Sequence, residues 1–107
     1  GLYQLRSLEQ AITLEVRTAV HQLEQSKLSI SASRIARDLT QKNLEAEQRK
    51  YELGTQTLFF VLDAQTQLVQ AELSLVQAQL GYQRAVAAVQ TASGELLERH
   101  RVQITAD

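Results

Sequence analysis

The chain has 107 residues, no cysteine, no proline and a formal net charge of −1, with 11 Lys and Arg against 12 Asp and Glu. This size allows at most one domain, and the missing cysteine excludes a disulfide framework and a thiolate metal site. Balanced charge excludes the basic footprint that binds nucleic acid or anionic lipid, and no apolar run approaches the ~20 residues of a membrane-spanning helix.

Residues 2–53 read as a first helix, because apolar positions recur at three- and four-residue steps with no strong breaker. Its first half carries Leu5, Ile12, Val16, Ala19, Leu23 and Ile30; its second half carries Leu28, Ala32, Ile35, Leu39, Ala46 and Leu53. These two sets fall in different heptad frames. The expected slip lies in residues 26–33, where four serines weaken helix propensity and a change of supercoil or partner is the simplest account. The charged residues of this helix read as a hydrated face, with Asp38–Lys42 and Glu45–Arg49 spaced for ion pairs.

At Leu53-Gly54-Thr55-Gln56-Thr57 the first pattern stops. Gly54 is placed to take the left-handed conformation just past a helix C-terminus, and Thr55 or Thr57 can cap the next helix through its hydroxyl. The tip turn is therefore 54–57, and so short a connection implies antiparallel helices.

The second helix is expected over 57–93. Val61, Leu68, Leu75, Tyr82, Val89 and Leu96 form one heptad column, and Ala64, Ala71, Ala78, Ala85 and Ala92 form another three residues on, which is the pattern of a coiled-coil seam. Methyl groups in such a seam let two backbones approach closely. Leu62, Val69 and Val76 add a third apolar column, so the apolar face is wider than one partner helix covers. The isolated hairpin is expected to self-associate through the Ala64, Ala71, Ala78 and Ala85 side. Gly94 marks an expected helix end or weak point before a tail over 94–107, although Glu95-Leu96-Leu97-Glu98-Arg99 can carry the helix on, and Val102-Gln103-Ile104 alternates like a short strand. The fold class is all-α, a long antiparallel helical hairpin that packs with other hairpins into a bundle or barrel wall.

His21 and His100 are the only histidines, and neither stands near a carboxylate pair at metal-ligand spacing. No nucleophile–histidine–acid set, glycine-rich phosphate loop or HExxH motif is present, so no enzyme, cofactor or metal is expected.

The string from Arg49 to Val89, with Lys50-Tyr51, Gly54-Thr55, Thr57 and Val61-Leu62-Asp63-Ala64 ahead of the alanine-rich helix, resembles the second hairpin of TolC-type outer-membrane efflux proteins. Residues 12–19, ITLEVRTA, resemble the start of the family's preceding helix. The resemblance implies one periplasmic hairpin of a longer protein that forms a trimeric tunnel in the Gram-negative outer membrane, with two such hairpins per protomer. It implies that the tip, matched by Leu53, Gly54, Thr55, Gln56, Thr57 and Leu58, docks a periplasmic adaptor and through it serves an inner-membrane pump. Family members also narrow the tunnel with acidic residues just beyond the tip: Asp63 matches one such position, whereas Phe60 stands at another that is often acidic. A different reading is a generic coiled-coil interaction module, such as an adaptor's own hairpin or a dimerisation domain.

Overall fold

The computed structural model describes residues 1–105. It consists of two α-helices, α1 (Leu2–Glu52, 51 residues) and α2 (Leu58–Thr105, 48 residues), joined by a five-residue connection. Among the described residues there is no strand. The chain is an antiparallel helical hairpin that divides into two compact units. One comprises Leu28–Leu80 and contains the tip; the other comprises Gly1–Lys27 and Gly81–Asp107.

In the tip-bearing unit the core is a cluster of Leu44, Val61 and Ala64, with Leu68 packed against it. Ala64 is the most enclosed of these at 1% exposure, and Leu75 is also buried. The alanine column thus faces α1 within the same chain. Full burial of one such Leu or Val stabilises by roughly 1.5–3 kcal/mol, so the seam holds the two helices together through a few aliphatic layers. The other unit repeats the arrangement, with Ile12 and Ala19 of α1 and Ala85 and Ala92 of α2 buried.

The seam of α1 differs from the sequence-based expectation. Its less exposed positions run Glu9, Ile12, Val16, Ala19, Leu23, Ser26, Ile30, Ser33, Arg37, Thr40, Leu44 and Glu47, alternating steps of three and four without interruption. There is no slip at residues 26–33. The apolar set of the second half is the outward one: Leu28, Ile35 and Leu39 are exposed, Leu39 at 63%. Polar residues occupy the inward positions because their side chains bond locally. Ser26 Oγ donates to the Leu23 carbonyl at 2.8 Å and Thr40 Oγ1 to the Ala36 carbonyl at 2.6 Å, so neither hydroxyl needs a partner across the seam.

Three further expectations are corrected. Because the Ala64–Ala85 side is occupied by α1, it is not free for self-association. The helix α2 does not end near Ser93 but continues through Gly94 to Thr105, and Val102-Gln103-Ile104 is helical. A single glycine costs a helix about 1 kcal/mol, too little to end one with hydrogen-bonded turns on both sides. Residues 106–107 of the expected tail lie outside the described residues. Finally, Asp38 pairs with Arg37 at 3.0 Å, and Gln41 Nε2 donates to Glu45 Oε1 at 3.5 Å, in place of the expected Lys42 and Arg49 pairings.

Candidate functional site: the hairpin tip and the outward faces

The tip is built on the backbone of Gly54, whose φ is +75°, the one positive φ among the described residues. It forms a Schellman motif. The Thr55 N–H donates to the Lys50 carbonyl at 2.9 Å, five residues back, and the Gly54 N–H to the Tyr51 carbonyl at 3.0 Å. Thr55 Oγ1 also donates to the Lys50 carbonyl, at 3.0 Å. The Thr55 hydroxyl therefore closes the end of α1 rather than capping α2, and Thr57 stands in the N-cap position, its carbonyl accepting the Phe60 N–H at 3.3 Å. Two orphan carbonyls of α1 are satisfied inside a turn that projects little side-chain bulk.

Around this turn the surface is apolar. Leu53, Leu58, Phe59 and Phe60 are all exposed, Leu53 at 78%. The Phe59 and Phe60 rings meet edge to face, centroids 5.7 Å apart at 83°. Beneath the tip, two acceptors are buried without a hydrogen-bond partner, Gln56 Oε1 and Glu47 Oε2. Glu47 lies in the seam, its side chain 14% exposed, with only Lys50 Nζ at 3.6 Å from its other oxygen. The hydrated face expected for the charges of α1 does not include Glu47, whose place seven residues after Thr40 puts it in the seam.

Asp63 is exposed and accepts a hydrogen bond at 3.0 Å from Gln67 Nε2, one turn further along α2. Seven-residue spacing puts Phe60 in the column of Gln67 and Asp63 in the column of Gln70, on one side of the seam. The remaining seam residues of α2 divide by burial. Val61, Ala64, Leu75, Ala85 and Ala92 are buried, while Leu68, Ala71, Ala78, Tyr82 and Val89 are half-buried.

Each helix also carries an apolar stripe that its partner does not cover. On α2 this is Phe59, Leu62, Val69, Leu73, Val76 and Leu80, and on α1 Leu28, Ala32, Ile35, Leu39 and Ala46. With successive residues turned by about 100°, each stripe points roughly 150° away from its own seam, so within the tip-bearing unit the two stripes lie on opposite edges of the helix pair. Two polar faces separate these edges.

No helix among the described residues is long and apolar enough to cross a membrane, and no His/Cys/Asp/Glu group among them is disposed to hold a metal ion. No curated protein and no solved structure matches the chain. The family described as outer membrane efflux protein matches residues 2–95, nearly the whole of both helices and the tip between them. A glycine-turned hairpin whose helices each present a second heptad stripe is thus a member of the outer membrane efflux protein family, the TolC-type channel proteins.

Proposed function

We propose that this hairpin is a periplasmic wall segment of a trimeric efflux tunnel and that its tip docks a periplasmic adaptor protein, which links the channel to an inner-membrane pump. The observation that carries the reading is the pair of uncovered stripes, with Leu39 63% and Val69 56% exposed. A helix that buries one heptad stripe needs one neighbour; a helix with two stripes about 150° apart needs two. Helices that each have two neighbours form a continuous wall, and a wall without open edges closes into a cylinder. A hairpin that served only as a dimerisation module would need one such edge, not two.

The tip supports the second half of the proposal. Satisfied backbone groups at Lys50 and Tyr51, small residues at Gly54 and Thr55, and exposed Leu53, Leu58 and Phe59 form a compact apolar end. Such an end suits close apposition with another helical hairpin, because the two backbones can approach and the leucines and phenylalanine lose their water.

The test is made in the complete channel protein. Leu39→Lys and Val69→Lys, each placing a charge on an outward edge, are expected to abolish the trimer on native gels, whereas Gln70→Lys on a polar face leaves it intact. A normal trimer in both edge variants would remove the hairpin from the wall and favour the generic module.

A further inference from the structure

The two polar faces of the tip-bearing unit are chemically different, and the difference follows from register. In an antiparallel pair, the α1 column of Arg34, Gln41 and Gln48 lies on the same side as the α2 column of Gln65, Glu72 and Gln79; the α1 column of Ser29, Ala36 and Asn43 lies on the other side with Gln67 and Ser74 of α2. Adding the columns that adjoin each set, the first face carries Arg34, Asp38, Glu45, Glu52 and Glu72. The second carries Gln70 and Gln77, and from Ser29 to Asn43 and from Gln67 to Gln77 it has no charge. Lys50 and Asp63 stand only at its tip end.

We infer that the uncharged face lines the tunnel and the charged face looks outward. The inference rests on the tunnel-wall reading and specifies which side of the wall is which. Side-chain size supports the assignment. The inner circumference of a cylinder of helices is shorter than the outer one, so inward side chains have less width per helix, and the uncharged face is the one with Ser29, Ala36 and Ser74. Arg34, Asp38, Glu45 and Glu72, whose charges need bulk water, fit the wider side. The consequence of the assignment is electrostatic. Rings of fixed charge in a narrow bore select ions by sign and hold counter-charged solutes, whereas amides and hydroxyls offer exchangeable hydrogen bonds without a net field. A wall of Gln67, Gln70, Ser74 and Gln77 therefore passes solutes of either charge and retains none, which assigns the tunnel a charge-indifferent class of cargo along this stretch.

The absence of cysteine from the hairpin makes the assignment directly testable by single-cysteine substitution. The complete channel, otherwise free of cysteine, is prepared as Ser74→Cys, Gln77→Cys, Glu45→Cys and Glu72→Cys. Each is reconstituted in planar bilayers and treated with a sulfonatoethyl thiosulfonate, a small reagent that leaves a negative charge on the thiol. Mass spectrometry verifies labelling at every position. Modification at Ser74→Cys and Gln77→Cys is expected to change single-channel conductance and shift the reversal potential towards cation preference in a salt gradient, with Glu45→Cys and Glu72→Cys unchanged. The reverse pattern, or equal shifts at all four, would overturn the face assignment while leaving the wall intact. A conducting, fully labelled channel with no shift at any position would overturn the tunnel-wall reading as well.

Discussion

The carbonyl oxygen of Lys50 accepts two hydrogen bonds from Thr55, one from its amide at 2.9 Å and one from its hydroxyl at 3.0 Å. This double closure, with Gly54 between the partners at φ +75°, fixes the direction in which the chain leaves α1. A Cβ on Gly54 would meet no heavy atom within 4 Å, so the cost of substitution lies in the backbone alone. Left-handed φ costs a residue with a Cβ about 1–2 kcal/mol. Gly54→Arg is therefore expected to lower hairpin stability modestly. In the complete channel it abolishes adaptor cross-linking and adaptor-dependent efflux while the trimer persists on native gels. Normal efflux would remove the tip from the docking mechanism; loss of the trimer would make Gly54 a folding residue only.

The enclosure of Ala64 sets the most severe packing test. Ala64→Leu forces three heavy atoms into a site already closed by Leu44 and Val61, and overpacking of this kind typically costs about 1–3 kcal/mol. Ala78→Leu, at a half-buried position of the same column, is expected to cost less, and Gln77→Leu, exposed beside it, least of all. Thermal melting of the three variants gives the order; equal effects would mean the seam runs through other residues.

Glu47 offers the opposite case. Its seam position places Oε2 out of water with no donor, and a buried unsatisfied polar group costs about 1–3 kcal/mol. Glu47→Leu removes that group and extends the aliphatic layers one step beyond Leu44. The expected result is a rise in stability of about 1 kcal/mol in urea titration. A drop of similar size would show that the carboxylate's contact with Lys50 outweighs its desolvation.

The uncovered edges predict that the 107-residue chain associates with itself at high micromolar concentration, through Leu39 and Val69 rather than through the alanine seam. Sedimentation of the double variant Leu39→Glu/Val69→Glu should give a monomer of unchanged helical content. A wild-type chain that is strictly monomeric at that concentration would contradict the assignment of these edges as packing surfaces.

The sequence was legible wherever hydrophobicity and burial agree. On α2 the alanines at every seventh position mark the inward face, and on the tip Gly54 marks the reversal. On α1 they disagree: Ser33, Arg37, Thr40 and Glu47 face inward while Leu28, Ile35 and Leu39 face outward. A frame chosen by apolar character then jumps from the inner stripe to the outer one at the serines, because α1 carries two apolar stripes and a single-frame reading follows the stronger. At the tip, residue type marks Thr55 as a capping residue, but the expected assignment to the next helix does not hold; both ends offer unsatisfied backbone groups, and only the turn geometry aims the hydroxyl at Lys50 of α1.

The polar run Ser33, Arg37 and Thr40 in the α1 seam has a consequence for the timing of local opening. Thr40 satisfies its hydroxyl on its own helix, so separating α1 from α2 there breaks no cross-helix hydrogen bond of that group, and only α2, through Leu68 and Leu75, contributes apolar surface to the opening. Near Leu44, Val61 and Ala64 the same separation exposes an aliphatic cluster. Amide hydrogen exchange will therefore show the hairpin's protection graded along its length, firmest beside the tip and weaker from Thr40 back to Ser33.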